Sequence, residues 1–229
     1  MSNDWDQKNQ ESAITRQAET FLKSEGDEWY KRNRSTLGGD EIFFDTQVIK
    51  HILGNFKHEI RNILEIGCSN GAKLKDLCDF FGAQGSGIDP SQAAIEDGKA
   101  KHDELSLYVA TASNLPLNSH NFDLVYFGFC LYLVDREDIF KVVAEADRVL
   151  KPGGFVAILD FDPIQRNKRP YKHVPGLFSY KNSYSNFFTA GGHYYLVAKE
   201  SFSHEARYFA SESGERISIC ILYKEIDSY

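Results

Sequence analysis

One ten-residue stretch, NILEIGCSNG at residues 62–71, constrains the fold of this chain more than any other feature. It places an acid, Glu65, inside a short apolar run, and the run then breaks at Gly67 and Gly71. In the residues that follow, AKLKDLCDFF, apolar side chains recur at helical spacing. The stretch therefore predicts a buried strand, a tight glycine turn and a helix. Such a turn lets a ligand approach the backbone closely at the positive end of the helix dipole.

From residue 62 to residue 161 the chain alternates predicted strands and helices, the pattern of a parallel sheet with helices on both faces. The predicted strands are residues 63–66, 85–89, 106–111, 122–129 and 155–161. The aromatic, Pro- and Gly-rich stretch 162–192 is too long for a simple connection, so we expect a functional insertion with a short helix near 180–188. Alternating apolar residues at 216–223 predict a final strand.

These changes of pattern divide the chain into four parts. We predict an N-terminal helical cap or lid (1–58), a ligand-binding core (59–161), a substrate-side insertion (162–192) and C-terminal strands that complete the sheet (193–229). In the lid we expect Tyr30 and Arg32 to reach a bound anion such as a cofactor carboxylate, because the guanidinium fork suits a carboxylate. The alternative is an amphipathic helix that only covers the sheet.

Charge and cysteine content argue against several functional classes. The 26 Lys and Arg against 33 Asp and Glu give a net charge of −7, which disfavours nucleic acid as a partner. No apolar run is long enough to span a bilayer, and the polar first residues do not form a secretory signal. The four cysteines include no CxxC pair, which predicts reduced thiols in a cytoplasmic protein and no metal site.

Two acids distinguish the expected ligand of the glycine turn from a dinucleotide. The dinucleotide fingerprint requires a second glycine where this chain has Ser69. Glu65 would repel a pyrophosphate but suits an ammonium or sulfonium group. Asp89 ends the next predicted strand, where an acid can accept both hydroxyls of a ribose. Together the two acids indicate a ligand with a ribose and a positive charge but without a phosphate.

Five motifs in order resemble those of class I S-adenosylmethionine-dependent methyltransferases. They are NILEIGCSNG, GIDPS, ATASNLPL, NFDLVYFGF and RVLKPGGFVAILDF, and they cover residues 62–161. The resemblance implies a doubly wound, Rossmann-like α/β fold. Its seven strands would follow the order 3-2-1-4-5-7-6, with strand seven antiparallel and helices on both faces. It also implies S-adenosylmethionine as the cofactor.

The same resemblance implies a set of cofactor contacts. The acid and glycines of the turn would face the methionine end of the cofactor, the acid after the second strand would hold the ribose hydroxyls, and the loop after the third strand would meet the adenine. The predicted cofactor-binding residues are Glu65, Gly67, Cys68, Gly71, Asp89, Pro90, Thr111, Ala112 and Phe127, with Tyr30 and Arg32 from the lid. The family often has Asp where Thr111 stands and Gly where Ser69 stands. Because serine is small, we expect the turn to survive.

Both acids also have a purely structural interpretation. Glu65 would then be a buried acid that pairs with a nearby backbone donor. Asp89 would be no more than a helix cap, since a helix is predicted to begin directly after it.

Methyl transfer depends mainly on the alignment of nucleophile, methyl group and sulfur, and needs a general base only for a poor nucleophile. The candidates are Tyr132, Asp160, Asp162, His173 and His193. We place His193 first because the pKa of histidine suits neutral pH. Any single histidine is nevertheless more often a surface or packing residue.

The acceptor predicted from sequence is an O- or N-atom of a small molecule. At the end of the fourth predicted strand, residues Phe127 to Cys130 include neither the Asn/Asp-Pro-Pro-aromatic motif of base and glutamine methylation in this family nor an Asp that could hold a catechol-site metal. Aromatic and cationic residues in the insertion would suit a sugar or a nucleotide-linked sugar, or else form a plain lid or a homodimer surface. Two other functions stay open: a regulatory or assembly module that binds S-adenosylmethionine without transfer, and a nucleotide-dependent dehydrogenase.

Overall fold

The computed structural model of the protein describes residues 16–36, 43–203, 208–212, 214 and 216–227. Its strands are β1 (Asn62–Ile66), β2 (Gln84–Asp89), β3 (Ser106–Val109), β4 (Phe122–Gly128), β5 (Leu150–Phe161), β6 (Asn167–Pro170), β7 (Phe178–Lys181), β8 (Tyr194–Ser203) and β9 (Arg216–Lys224). Its α-helices are α1 (Arg16–Thr20), α2 (Gly26–Asn33), α3 (Phe44–Leu53), α4 (Ala72–Phe81), α5 (Gln92–Lys101), α6 (Ile139–Val149) and α7 (Ser185–Thr189). Of the predicted N-terminal cap, residues 1–15 and 37–42 lie outside the described residues.

A seven-stranded sheet in the order β3-β2-β1-β4-β5-β9-β8 forms the centre of the fold. The first five strands are parallel, β9 runs antiparallel to β5, and β8 runs antiparallel to β9. With β8 and β9 as the sixth and seventh strands, this confirms the predicted fold class, strand order and antiparallel last strand.

Each face of the sheet has its own hydrophobic core. Successive strand residues point to opposite faces, so Leu124 and Tyr126 of β4 join the core beneath α3 and α4, while Val125 and Phe127 join the core beneath α6. Both faces of β4 are therefore buried, which explains its nearly continuous apolar sequence.

The predicted strand–turn–helix at the start of the core is confirmed. The helix α4 begins directly after Gly71 and ends at Gly82, both of which have positive φ. Its buried stripe consists of Leu74, Leu77, Cys78 and Phe81, the residues whose spacing indicated a helix.

The N-terminal segment has two parts with different positions. Residues 16–33 form one helical segment, α1 and α2 joined by a π-helical turn at Phe21–Glu25, and we call this segment the lid. Gln17 fastens the lid to the rest of the protein: its backbone N–H donates to Asp135 Oδ2 at 3.1 Å, and its side chain hydrogen-bonds backbone groups of Leu133 and Phe178. By contrast, α3 packs into the core, where Ile49 and Leu53 are fully buried.

The insertion differs from the sequence prediction. It contains an antiparallel hairpin, β6 with β7, in which the ammonium of Lys168 lies 3.6 Å from the ring centroid of Phe178. The short helix predicted near 180–188 begins only at Ser185, because residues 178–181 extend into the hairpin. Among the described helices, none is both long and apolar enough to cross a bilayer.

Candidate functional site

A crevice opens at the carboxyl end of the sheet, where the strand order reverses between β1 and β4. Ligands of open α/β sheets bind at this place. The crevice consists of two adjoining cavities, a first of about 910 Å³ that contains Asp89 and a second of about 790 Å³ that contains Glu65. The residues that line both are Trp29, Gly67, Ser69, Gly128 and Phe129.

The glycine turn forms the wall between the two cavities. The backbone N–H groups of Gly67 and Cys68 both donate to the carbonyl of Ile88, at 2.8 and 3.0 Å, which holds the turn against β2. Gly67 has φ 77°, and a Cβ there would come within 2.6 Å of Cys130 Cβ. Ser69 adopts a positive φ of 50° although it is not a glycine. The turn therefore survives the serine, as the sequence analysis predicted.

Asp89 lies half-buried at the end of β2 and lines the first cavity. Its Oδ2 accepts from the Ser69 N–H at 2.9 Å and its Oδ1 from the Ser91 N–H at 2.8 Å. Each oxygen keeps a second lone pair for a ligand hydroxyl. Burial raises the pKa of this carboxyl to about 6. The N-cap of α5 is Ser91, whose Oγ accepts from the Ala94 N–H, so helix capping alone does not account for Asp89.

Glu65 lines the second cavity and is 1% exposed. Burial raises the pKa of its carboxyl well above the usual range, against the charge of Lys73 and a hydrogen bond from the backbone of Leu74. That backbone donor matches the structural interpretation, yet Oε2 is buried and has no hydrogen-bond partner among the described residues. A Cβ on Gly128 would lie 2.6 Å from Oε1, so only glycine leaves room there. The arrangement fits a ligand that donates a hydrogen bond or carries a positive charge.

Three further predicted residues line the first cavity. Pro90, Thr111 and Ala112 border it together with apolar residues of the lid and of α6. Thr111 Oγ1 lies 3.4 Å from Ser113 Oγ, which also lines this cavity. These residues therefore form the wall beside Asp89, where the family resemblance placed the adenine.

Three residues of the predicted cofactor-binding set, Phe127, Gly71 and Cys68, do not face the cavities openly. Phe127 is fully buried, with its ring 6.1 Å from that of Phe188. Phe127 does not line either cavity, in disagreement with its predicted place in the site, whereas its neighbours Gly128 and Phe129 line both. Gly71 faces Leu105, which a Cβ would meet at 3.0 Å, and shapes the turn from behind. Cys68 borders the second cavity but is 4% exposed and belongs to the core beneath α4.

The predicted lid contacts require correction. The hydroxyl of Tyr30 donates to Asp97 Oδ2 at 2.5 Å and so binds α2 to α5, while Arg32 pairs with Glu25. Neither residue lines the crevice. Trp29 lines both cavities instead, so α2 borders the crevice through a residue that the prediction did not include.

His193, the leading candidate for a general base, lies at the wrong end of the sheet. Tyr195, two residues further along in β8, is level with Phe155 at the amino end of the β5–β9 ladder, because both residues pair with Tyr223. Phe155 stands four residues before Leu159, the partner of Gly128 at the crevice. At about 3.3 Å per residue the separation is roughly 13 Å along the strands. His193 instead lies 3.5 Å from Asp147 Oδ1, so its predicted role is corrected.

The other base candidates are engaged in the structure. Asp162 pairs with Lys199 at 2.6 Å and accepts from Ser201 at 2.8 Å. Asp160, whose pKa burial raises to about 7, accepts from the backbone N–H groups of Tyr132 and Phe161 and so holds the turn after β4.

The remaining two candidates differ in burial, since Tyr132 is partly buried and His173 is exposed. Burial raises the pKa of the Tyr132 hydroxyl, which hydrogen-bonds the Trp29 side chain. His173 is exposed in the insertion, with its ring 5.4 Å from that of Tyr171. None of the five candidates is among the residues that line the crevice.

Sequence reasoning missed the aromatic residues that shape the crevice. Phe129 adopts a φ of 64°, which is rare for a bulky residue. Residues with such strained backbone conformations cluster at functional sites. The ring of Phe129 lies 5.2 Å from Tyr132 and 5.0 Å from Phe161. Trp29 carried a weak signal, its place among aromatic and basic residues of the lid, but the backbone strain at Phe129 left none in the sequence.

Comparison with known proteins identifies related sequences over the core. Residues 64–158 match a family model described as a methyltransferase domain. The chain is similar to a sterol 4-C-methyltransferase of Caenorhabditis elegans, with 33% identity over 119 residues, 48% of this chain and 35% of that protein. It is also similar to a demethylmenaquinone methyltransferase of Staphylococcus epidermidis, with 32% identity over 117 residues, 48% of each chain. The chain thus spans between a third and a half of the length of these curated relatives.

Solved structures resemble a larger part of the chain in shape. A 1,6-didemethyltoxoflavin-N1-methyltransferase of Burkholderia thailandensis, solved with bound 1,6-didemethyltoxoflavin and S-adenosylhomocysteine, has a TM-score of 0.71 and 14% identity over 93% of this chain and 92% of that one. A SAM-dependent methyltransferase of Methanosarcina mazei has a TM-score of 0.63 and 18% identity over 77% and 98%. At such identities the likeness establishes the fold.

Proposed function

We propose that residues 64–158, which match a family model described as a methyltransferase domain, form a class I S-adenosylmethionine-dependent methyltransferase domain, and that this protein transfers a methyl group from S-adenosylmethionine to a small molecule. The family model supports the predicted family for this domain, and solved methyltransferases share its fold. The matched residues include both acids of the crevice and the glycine turn between them.

One observation carries the proposal: two carboxylates at neighbouring strand ends open on a single crevice, and one oxygen of Glu65 has no hydrogen-bond partner in the part of the chain that the structure describes. In this proposal Asp89 accepts the ribose hydroxyls with the lone pairs that its two backbone donors leave. Glu65 accepts the ammonium group of the methionine end. Pro90, Thr111 and Ala112 border the adenine.

The bound cofactor supplies a methyl group activated by a sulfonium. The protein then has to align the acceptor with that group and exclude water, and alignment can contribute roughly 7–11 kcal/mol. The lid is placed for the second task, because Trp29 covers both cavities.

The walls of the second cavity support an acceptor with an apolar ring system. Away from the turn and the start of α4, which contributes Lys73, it is lined by Trp29, Phe43, Phe129, Leu159 and Ile217. Such a surface suits a flat apolar molecule better than the sugar that the insertion suggested, because sugar hydroxyls buried there would lose their hydrogen bonds to water. The two curated relatives are named for sterol and demethylmenaquinone methylation, which agrees with this direction.

The acceptor should also be one that reacts without a general base of the protein to remove its proton. Asp160 and Asp162 have their oxygens engaged, and Tyr132 is an even weaker acid than usual. A general base is dispensable when the nucleophile is already reactive, as in a phenolate, its ring carbon or an amine. We therefore propose a C-, N- or O-atom of a readily ionised or amine-bearing apolar ring.

Calorimetric titration with S-adenosylhomocysteine tests the cofactor part of the proposal. We expect the unmodified protein to bind, and Asp89→Ala to weaken binding by roughly 10- to 100-fold, because hydrogen bonds to a charged group contribute about 1.5–3 kcal/mol. Asp103→Ala, which removes an exposed acid after α5, is the matched control and should bind normally. Absence of binding by the unmodified protein would reject the proposal.

A panel of acceptors with a labelled methyl donor tests the acceptor class. Label transferred to naphthohydroquinones or fused-ring amines supports the assignment, whereas label transferred only to sterols would keep the apolar acceptor and overturn the requirement for a readily ionised or amine-bearing ring. Label transferred only to nucleotide-linked sugars would overturn the apolar acceptor while leaving methyl transfer intact. Tight cofactor binding with no labelled product from any acceptor would favour the module that binds without transfer.

A further inference from the structure

A third cavity, of about 850 Å³, lies at the foot of the lid, where α1 meets the insertion. Asp135 lines both this cavity and the first cavity of the crevice, so the two adjoin. The lid, the core and the insertion all border the third cavity. The residues that they contribute include Arg16 and Gln17 from α1, Arg136 from the turn before α6, and Lys168, Phe178 and Tyr180 from the hairpin of β6 with β7.

The three cations of this cavity have no acidic partner among the described residues. Arg16, Arg136 and Lys168 take part in none of the ion pairs within the part of the chain that the structure describes. Two acids also line the cavity, but Asp135 Oδ2 accepts a backbone N–H of the lid at 3.1 Å and Glu137 is exposed. Residues 163–199, which include the hairpin, contain no Asp or Glu, although the whole chain has a net charge of −7.

Two of these cations lie close to one aromatic ring. Lys168 Nζ is 5.6 Å and Arg136 Cζ is 4.5 Å from the ring centroid of Tyr180, and the same Nζ lies 3.6 Å from the ring centroid of Phe178. Like charges repel one another, so the folded protein holds these cations near each other at a cost in free energy. An anion in the cavity offsets that repulsion.

The cations differ in what they offer a ligand. Nη2 of Arg136 donates to two backbone carbonyls of the preceding turn, and its Nε and Nη1 are buried without a hydrogen-bond partner in the described chain. Arg136 therefore contributes a fixed positive charge. Arg16 and Lys168 are exposed, and a Cβ on Gly176 would come within 2.9 Å of the Arg16 guanidinium. These two side chains are placed to donate to an anion from the lid and from the hairpin.

We propose that the third cavity binds a phosphate group and that the bound phosphate holds the lid against the insertion. A phosphate monoester has three strong acceptor oxygens and a charge of about −2. Such a group suits cations that come from three elements, whereas a planar carboxylate pairs with a single guanidinium fork. Arg16 belongs to the lid and Lys168 to the insertion, so one ligand links the two. The site lies outside the cofactor crevice, and its test does not depend on the proposed function.

Calorimetric titration with inorganic phosphate and with glycerol 3-phosphate tests the site. We expect the unmodified protein to bind both, and Lys168→Gln and Arg16→Gln each to weaken binding by about 10- to 100-fold, because each removes a hydrogen bond between charged groups. Both residues are exposed, so the melting temperatures without phosphate should match that of the unmodified protein.

Lys172→Gln is the matched control. It removes an equal charge from an exposed residue of the same insertion that does not line the cavity, and it should bind phosphate normally. Absence of binding by the unmodified protein would overturn the site. An equal loss in Lys172→Gln, or no loss in either cavity variant, would also overturn it, since phosphate would then be attracted only to a basic surface.

Hydrogen exchange tests the effect on the lid. Saturating phosphate should slow exchange of the backbone amides of residues 16–33 in the unmodified protein, because opening of the lid then requires release of the ligand. The same phosphate concentration should leave lid exchange in Lys168→Gln unchanged. Phosphate binding that does not alter lid exchange in the unmodified protein would contradict the role in holding the lid.

Vesicles of phosphatidylglycerol identify the source of the phosphate. Cosedimentation that Lys168→Gln reduces and glycerol 3-phosphate competes away would support the site and assign it to a lipid headgroup. Binding of glycerol 3-phosphate without cosedimentation would support the site and assign it to a soluble phosphate ester.

Discussion

Replacing Glu65 by glutamine should reduce the loss of folding stability as the pH rises, and it should also lower the affinity for the cofactor. The substitution keeps the size of the side chain and removes its charge. Glu65 is 1% exposed, and burial raises the pKa of its carboxyl well above the usual 4.5. The two effects have opposite signs because the charged form is costly in the free protein and is needed only for the ligand.

The magnitude follows from the linkage between proton binding and folding. A raised pKa in the folded state favours folding below pH 4.5, and this contribution disappears as the pH rises towards the folded-state pKa. The loss is about 1.4 kcal/mol per pH unit while the carboxyl stays protonated in the folded protein and ionised in the unfolded chain. For a chain of this size each such pH unit corresponds to roughly 3–6 °C in melting temperature.

Urea unfolding of both proteins between pH 5 and pH 8 gives the required curve. Subtracting the free energy of unfolding of the unmodified protein from that of Glu65→Gln cancels the other titrating groups, and the difference should rise with pH in favour of the variant. In the same variant the affinity for S-adenosylhomocysteine should fall by roughly 10- to 100-fold. In the unmodified protein that affinity should increase from pH 5 to pH 8, because the ligand's ammonium requires the ionised carboxylate.

Glu145→Gln is the control with the opposite sign. Arg148 holds the pKa of Glu145 below its usual value, so the charged form of this residue stabilises the folded protein above pH 4.5. The variant should be less stable than the unmodified protein at neutral pH and should bind the cofactor product normally. A flat difference curve for Glu65→Gln, together with unchanged affinity, would refute the interpretation of Glu65 as a buried acid reserved for a cation.

Two further substitutions address the lid and the far end of the sheet. Trp29→Ala should reduce S-adenosylhomocysteine affinity about tenfold or more by removing a ring that covers both cavities; Trp29→Phe should retain most of it, and equal titration curves for all three proteins would contradict the role of the lid. His193→Ala should leave the affinity and the rate of label transfer unchanged, since this residue lies roughly 13 Å from the crevice; a clear loss of rate with normal binding would restore it as a base.

The parts of the site that the sequence predicted are those fixed by strand ends. In a parallel sheet the carboxyl ends of neighbouring strands lie side by side, and Ile66 pairs with Ile88. Glu65 and Asp89 therefore had to reach the same crevice once their strands were recognised. The glycine turn was equally predictable, because its positive φ angles at Gly67 and Gly71 favour glycine.

The lid was less predictable because its helical phase changes within the segment. The π-helical turn between α1 and α2 inserts residues at a different periodicity. Tyr30 and Arg32 were predicted from the chemistry of their side chains alone, and the structure places Trp29 rather than Tyr30 at the crevice. A sequence pattern does not reveal where such a turn occurs.

The remaining corrections arise from tertiary packing. Phe127 and Phe129 are two residues apart and would share one face of a regular strand. The strand ends at Gly128, however, and the positive φ of Phe129 turns its ring into the crevice while Phe127 stays beneath α7. The position of His193 depended on the pairing of β8 with β9, which places the start of β8 at the amino end of the sheet.

The most direct test of the account is a crystal structure of the protein with S-adenosylhomocysteine bound. We predict that the ribose hydroxyls lie within hydrogen-bonding distance of Asp89 and that the ammonium lies on Glu65 Oε2. A ligand bound at another place, or one in this crevice that touches neither carboxylate, would contradict the claim that these two acids select the cofactor.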